Sequence, residues 1–310
     1  MKILFMGTPD FAVPCLRELI NNNYEISKVI TQPDRPKGRG QKLMPSPVKE
    51  EAKKHNIEVL QPERIKDFQF VKQIENLNPD IIVVVAFGQI LPKTILDIPK
   101  YGCINVHASL LPKYRGAAPI NWCIINGEKT TGITTMYMNE GLDTGDMILK
   151  REIPILDSEN AQQLHDKLSI LGATLLLETI DQLLKGNASR TPQDHSQSTY
   201  APMLSKTLGK INWNMSSLEI KNLIRGVTPW PGAYTSYLNK TVKIFSAEAL
   251  DYENENEKAG TIYKVAHDHF LVCCGKGSLS IGEIQFQNEK RMSVEAYLRG
   301  HNIVEGEILL

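Results

Sequence analysis

The sequence predicts an α/β protein of two domains, a mostly parallel sheet covered by helices followed by a small antiparallel β-barrel. Three observations carry this reading. Strand, helix and strand patterns follow one another at the start of the chain within about thirty residues, the βαβ unit of a parallel sheet. Residues 80–87 (DIIVVVAF) form a continuous, β-branched-rich apolar run, as in a central strand covered on both faces. Beyond residue 207 short strand-like runs separated by turns take over, the pattern of a small barrel. A chain of 310 residues is also longer than one core comfortably supports.

In chain order, residues 2–6 read as a buried strand closed by Gly7, and Leu16, Leu19 and Ile20 recur at helical spacing. Residues 29–31 close a second strand. The turn between, GTPD, lacks the G-x-G-x-x-G fingerprint, so no dinucleotide site is inferred, although a helix N-terminus there can hold an anion. Residues 32–45 then exceed a tight connection between elements. They carry Arg35, Lys37, Arg39 and Lys42 around Gly38 and Gly40. Such a basic insertion either follows a phosphate backbone or is a solvated surface loop. Ser46-Pro47 supplies an N-cap and a first-turn proline for a helix. Val59-Leu60 is a short strand, Phe70, Ile74 and Leu77 mark a helix ending at Asn78-Pro79, and the 80–87 strand ends at Gly88.

The stretch 102–122, GCINVHASLLPKYRGAAPINW, organises the rest. Asn105 and His107 stand two apart, so on a strand both face one side. At the C-terminal end of a parallel strand that side is the ligand crevice. An amide donor beside an imidazole suits acyl transfer. A satisfied core asparagine and a buried histidine have the same spacing, so the pair alone does not decide. Residues 132–138 read as a strand leading into GLDTGD (141–146). There Asp143 is either a turn residue or the carboxylate that orients His107.

Residues 147–154 are a further strand and 161–184 a long helix. From residue 187 to about 206 the composition turns to Ser, Thr, Gln and Pro, a linker signature. Ser216-Ser217 caps a helix through Arg225, strands follow at 242–245, 261–265, 270–273 and 279–284, and Ser293 caps a short helix ending at Gly300. The expected division is thus a catalytic domain over 1–188, a linker over 189–206 and a second domain over 207–310.

Composition narrows the function. With 35 basic and 35 acidic residues the chain carries no net charge, so any nucleic-acid contact rests on local clustering. The second domain, with 11 basic and 12 acidic residues, is not basic either. The 5 cysteines include no C-x-x-C pair, and His267-Asp268-His269 reads as a hairpin turn, so no metal is expected. The longest apolar run, 81–87, is too short to cross a bilayer and no signal-peptide core is visible. A cytoplasmic, reduced and monomeric protein is expected.

Several stretches also line up with a known family. GTPDFAVP, TQPDRPKGRGQKLMPSPVK, VVVAFGQILP, GCINVHASLLPKYRGAAPINW, GLDTGDM, GKINW and TPWPGAYT together resemble the methionyl-tRNA formyltransferases, in the family order and across almost the whole chain. The SLLP-x-x-RG-A-x-P run marks the wider group of 10-formyltetrahydrofolate-dependent formyltransferases. The basic insertion and the C-terminal domain narrow the match to the tRNA enzymes. The resemblance implies a Rossmann-like formyltransferase domain with a predominantly parallel sheet, followed by a small OB-like β-barrel. It also implies formyl transfer from 10-formyltetrahydrofolate to methionyl initiator tRNA, without a metal. The family's catalytic residues fall on Asn105, His107 and Asp143, and its folate pocket on Phe87, Gly88, Gln89, Ile90, Leu91 and Pro92, on Ser109, Leu110, Leu111 and Pro112, and on the loop ending at Asp143. Arg35, Lys37, Arg39 and Lys42 would form the tRNA-reading loop. Position 108 is Ala where Gly is frequent and position 212 is Asn where Asp is usual.

Overall fold

The computed structural model describes residues 1–37, 42–252 and 257–310, leaving aside the side chains of Lys37 and Lys42. The chain divides into two units. The first comprises Met1–Pro119, Thr130–Pro154 and His165–Ala201, the second Ile120–Lys129, Ile155–Leu164 and Pro202–Leu310.

The first unit is built on a seven-stranded sheet. In chain order its strands are β1 (Lys2–Gly7), β2 (Glu25–Ile30), β5 (Val59–Leu60), β6 (Ile81–Val85), β7 (Cys103–His107), β9 (Thr130–Tyr137) and β10 (Met147–Pro154). They lie in the order β10-β9-β7-β6-β1-β2-β5. The pairs among β5, β2, β1, β6 and β7 are parallel, whereas β9 and β10 add antiparallel at one side. Two short pairs complete the strands: β3 (Arg35–Lys37) with β4 (Lys42–Met44), and β8 (Arg115–Gly116) with β11 (Tyr200–Ala201). The basic insertion therefore starts and ends as a hairpin rather than as a plain loop.

Alternation along the strands explains the two covered faces. Leu4, Met6, Ile82 and Val84 face one side, where they pack with Val71 and Ile74 of α3 (Phe68–Leu77) and Ile95 of α4 (Lys93–Leu96). Ile3, Phe5, Ile81 and Val83, on the other face, are equally buried. Three further α-helices among the described residues belong to this unit: α1 (Val13–Asn21), which buries Cys15, Leu16 and Leu19; α2 (Pro47–Lys54); and the greater part of α6 (Ala161–Leu184). A methyl group on Gly172 of α6 would lie 3.1 Å from Val106 of β7, so this glycine sets how closely the helix approaches the strand that bears Asn105 and His107. Ser46 caps α2 by accepting the Lys49 N–H at 3.1 Å, as its sequence signature predicts. Burial pushes the Cys15 and Cys103 thiols up to about 12, so both are inert packing groups.

The second unit holds α5 (Pro119–Ile125) from its second residue, α7 (Ser217–Gly226) and α8 (Val294–Leu298). Its sheet contains β12 (Ala233–Tyr237), β13 (Lys240–Leu250), β14 (Ile262–Val265), β15 (Phe270–Cys273), β16 (Ser278–Phe286) and β17 (Met292–Ser293). The order β12-β13-β16-β15-β14, with β17 beside β16, is antiparallel throughout. The two ends of this path are bridged by the last residues of the chain. Leu310 exchanges hydrogen bonds with Ser236 of β12, while Leu309 and Gly306 donate to the carbonyls of Gly260 and Ile262. The enclosed core includes Val242, Ile244, Ile262, Phe270, Ile281 and Ile284. The capping box on α7 has both reciprocal bonds between Ser216 and Glu219. The turn at 267–269 is tight, with Ala266 N–H donating to the His269 carbonyl at 2.8 Å.

One buried charge ties α1 to α2. Glu51, 4% exposed at its side chain, accepts from Arg17 Nε at 2.7 Å and Lys54 Nζ at 3.1 Å. The Arg17 hydrogen bond, with the Lys54 bond adding to it, holds the Glu51 carboxyl down at about 2, against 4.5 ordinarily. A depressed carboxyl stabilises the fold above its unfolded value, and that contribution disappears as pH falls from about 4.5 toward 2. Glu51→Gln should therefore destabilise the first unit by about 2 kcal/mol at neutral pH, a figure discounted for the half-exposed Arg17. Thermal melts across this pH range should show the wild-type advantage shrinking below pH about 4.5; an advantage independent of pH would refute the role.

Candidate active site

Three loops leave the C-terminal ends of the parallel strands. The 87–92 segment follows β6, the 109–112 turn follows β7, and the basic hairpin follows β2. The crevice at such strand ends is where open α/β sheets bind ligands.

Asn105 is the middle residue of β7 and His107 its last, 9% and 7% exposed. Asp143 reaches them from the glycine-rich turn after β9. Its carboxylate accepts from Asn105 Nδ2 at 3.4 Å through Oδ1 and from the Gly116 backbone N–H at 2.8 Å through Oδ2. Oδ2 also lies 3.8 Å from His107 Nδ1. The structure thus brings together the three residues that the sequence separates by up to 38 positions.

The far side of the imidazole settles its tautomer. His107 Nε2 is 2.9 Å from the Tyr114 carbonyl oxygen. A carbonyl only accepts, so Nε2 carries a hydrogen, and in the neutral ring Nδ1 holds the lone pair. That lone pair faces the Asp143 carboxylate, and a proton arriving on Nδ1 meets a negative charge. Asn105 has a second amide N–H beyond the one directed at Asp143. The site therefore offers a hydrogen-bond donor, a proton acceptor and a charge that stabilises the acceptor once loaded.

Asp143 achieves this from a left-handed backbone, φ +52°. The turn closes only with glycine at 145, where a Cβ would fall 1.7 Å from the Tyr137 carbonyl oxygen. A buried glutamine, Gln193, completes the surroundings. It donates to the carbonyls of Asp143 and Gly145, both at 2.8 Å, and accepts from Arg115 Nε and Nη2 at 3.1 and 2.7 Å. Gln193, the Tyr114 carbonyl and the Gly116 N–H were not anticipated. Gln193 lies in the stretch 189–206, whose polar composition reads as a linker. That stretch is well anchored: Thr191 exchanges two backbone bonds with Met147, and Thr199 and Ala201 accept from Arg115 and Ala117.

The candidate folate residues divide by environment. Phe87 and Leu91 are buried in the core cluster, against which Met138 also packs. Gly88 has φ +88°, Ile90 is 74% exposed, and Gln89 Oε1 accepts from the Ile65 N–H at 2.8 Å. Pro92 N-caps α4. In the 109–112 turn, Ser109 donates to the Lys113 carbonyl at 2.7 Å, and Thr134 Oγ1 binds both the Ser109 carbonyl and the Leu111 N–H at 2.7 and 3.1 Å. Lys150, on β10, donates to the Leu111 carbonyl. Leu111 packs on Met136 and Met147, Leu110 and Pro112 are half-buried, and the Leu111–Pro112 peptide is cis.

Of the candidate tRNA residues, Arg35 is exposed and 3.7 Å from Glu63. Lys37 and Lys42 pair across the β3–β4 hairpin through their backbones, and Arg39 lies outside the described residues. The root of the hairpin is braced by Asp34. Its carboxylate accepts from Lys49 at 2.7 Å and Gln61 at 2.8 Å, bonds that hold it below the usual carboxylate range. Among the described residues no group of three or more metal-ligating side chains converges. None of their helices is long and apolar enough to cross a membrane.

Comparison with known proteins agrees with this architecture. Residues 1–180 match the sequence model of Formyl transferase and 203–302 that of Formyl transferase, C-terminal domain. Among solved structures, an N-formyltransferase from Helicobacter canadensis, in complex with folinic acid and dTDP-3-aminofucose, is similar at TM-score 0.67 and 20% identity, over 94% of this chain and 100% of that one. HypX from Aquifex aeolicus in complex with tetrahydrofolic acid matches at TM-score 0.62 and 17% identity, over 99% of this chain but 50% of that one. These two likenesses concern the fold. Relatives named methionyl-tRNA formyltransferase are much closer: 58% identical in Alkaliphilus oremlandii and 56% in Clostridioides difficile, over 100% of this chain and at least 99% of theirs. Full-length similarity at that level, together with both domain matches, makes the chain a member of the methionyl-tRNA formyltransferase family.

Proposed function

We propose that Asn105, His107 and Asp143 carry out the transfer this family performs, from 10-formyltetrahydrofolate to the α-amino group of methionine on initiator tRNA. The observation that carries this reading is the shared carboxylate of Asp143, which meets the Asn105 amide and the free nitrogen side of His107 at 3.4 and 3.8 Å. The folate donor supplies a formyl group on nitrogen, activated for acyl transfer. His107 Nδ1 takes the proton that the attacking amine must lose as the new C–N bond forms, and returns it to the departing folate nitrogen. Asp143 stabilises the imidazolium in between. Asn105 donates its second amide hydrogen to the formyl oxygen as negative charge gathers there.

In this reading 1–188 holds the folate and the chemistry, on the loops of residues 87–92, 109–112 and 138–143. The basic hairpin and 207–310 contact the tRNA, and 189–206 joins the two parts. The enzyme acts as a cytoplasmic monomer. The reaction is tested by offering the purified protein methionyl initiator tRNA, methionyl elongator tRNA and an amino-sugar nucleotide with the same formyl donor. Formylation of the initiator alone supports the reading, and transfer only to the sugar overturns it.

Two further outcomes probe the residues. Asn105→Ala should lower kcat by about 10²–10³ with little change in the KM for the folate donor, as for loss of one oxyanion donor. Steady-state kinetics decide it, and a kcat within a few-fold of wild type would remove Asn105 from the mechanism. Arg39→Ala should raise the KM for tRNA, leave folate binding alone and reduce the salt slope of tRNA affinity by about one unit, as for one lost phosphate contact. An unaltered slope would take the insertion out of tRNA recognition.

A further inference from the structure

Asp143 is held in place by more than its own carboxylate bonds. Its turn has internal bonds at its margins. Asn139 Oδ1 accepts from the Gly141 N–H at 3.0 Å and Thr144 Oγ1 at 2.8 Å, and Tyr137 donates to the Asp146 carbonyl at 2.9 Å. None of these touches the carbonyls of Asp143 and Gly145. Both are bound by the two amide hydrogens of Gln193, each at 2.8 Å.

The other end of the same amide holds Arg115, through Nε and Nη2 at 3.1 and 2.7 Å. Arg115 immediately precedes Gly116, whose N–H anchors Asp143 Oδ2. His195 Nδ1 accepts a further Arg115 bond at 3.0 Å. Gln193 thus grips both the backbone that presents the Asp143 carboxylate and the strand that receives it. The residue is 6% exposed, and its donors and acceptor are all engaged. The Thr191–Met147 backbone exchange, at 2.9 and 3.0 Å, fixes the main chain two residues earlier.

The geometry points to Gln193 as a positioning residue for formyl transfer, holding Asp143 in the left-handed conformation from which its carboxylate reaches Asn105 and His107. An aspartate at φ +52° is uncommon and persists only where its surroundings impose it. A bond to the carbonyl of that very residue, and another to the carbonyl two positions on, supply the constraint. This rests on the catalytic role proposed above for Asp143, and the test separates the two.

The discriminating experiment is a double-mutant cycle. Gln193→Glu keeps the length of the side chain and an acceptor for Arg115, but aims an oxygen at two carbonyl oxygens. We expect kcat to fall by about 10–100-fold, the scale for a reacting group misplaced by about an ångström. The KM values for folate donor and tRNA should stay within about threefold. Gln193→Met, which lacks both donors and the acceptor, should lose at least as much, and thermal melts identify a variant that fails to fold. The cycle is closed with Asp143→Ala. If Gln193 acts through Asp143, Gln193→Glu in the Asp143→Ala background should cost no more than about twofold, because the group it positions is gone. Losses that multiply, or a Gln193→Glu enzyme with normal kcat, would overturn the positioning role while leaving the catalytic reading intact. An Asp143→Ala enzyme with unimpaired kcat would instead overturn the catalytic reading.

Discussion

One carboxylate is the constraint on which the rest of the site depends. Asp143 is an acceptor shared between an asparagine on β7 and a backbone N–H on β8, and its carboxylate lies 3.8 Å from the histidine between them in sequence. A buried acceptor with fewer partners would be costly, because its desolvation would go uncompensated. The three contacts also do something none could do alone. They bind the turn after β9 to the end of β7, so that donor and proton acceptor are held to one geometry before a substrate arrives. Preorganisation of this kind is what electrostatic catalysis requires, since no reorientation is left for the moment of reaction.

The sheet explains why these parts can meet. Parallel strands end at one edge, so the loops after β2, β6 and β7 leave the sheet on the same side. The antiparallel β9, hydrogen-bonded beside β7 from Ile104↔Tyr137 to His107↔Thr134, runs back past the site. It delivers Thr134 beneath the 109–112 turn and, at its far end, the turn that carries Asp143. Thr134 ties a carbonyl and an N–H of that turn to the regular sheet, as Gln193 ties two carbonyls of the Asp143 loop to Arg115. Both are buried polar side chains with every bond made, the condition under which such groups rigidify a fold rather than weaken it.

Much of this was legible in the residues. Continuous apolar runs marked β1 and β6, and period two on β7 placed Asn105 and His107 on one side. Ser46-Pro47 and Ser216-Ser217 announced their helices through local bonds that short-range chemistry alone determines. What stayed hidden depends on distance in sequence. Gln193 bonds to partners 50 and 78 positions away, and a single glutamine in a Ser/Thr/Gln stretch carries no periodic signal. Strand β12, AYTSY, alternates faithfully, but it buries Ala233, Thr235 and Tyr237 while its other tyrosine and its serine face outward, so hydropathy masks the pattern. The antiparallel direction of β9 and β10 was equally invisible, because a strand's composition says little about which way its neighbour runs.

The bond from His107 Nε2 to the Tyr114 carbonyl bears on how a proton can travel. A histidine with both nitrogens open can pass a proton from one side of its ring to the other, serving as a link in a wire. Here one nitrogen is engaged with an oxygen that cannot accept a proton at neutral pH. Whatever Nδ1 picks up must leave by Nδ1. In the proposed reaction the imidazole is then a parking place rather than a conduit, and the proton stays within the crevice. Such confinement couples arrival and departure: the nitrogen that gains the proton last has to be the one that comes within reach of the same ring atom.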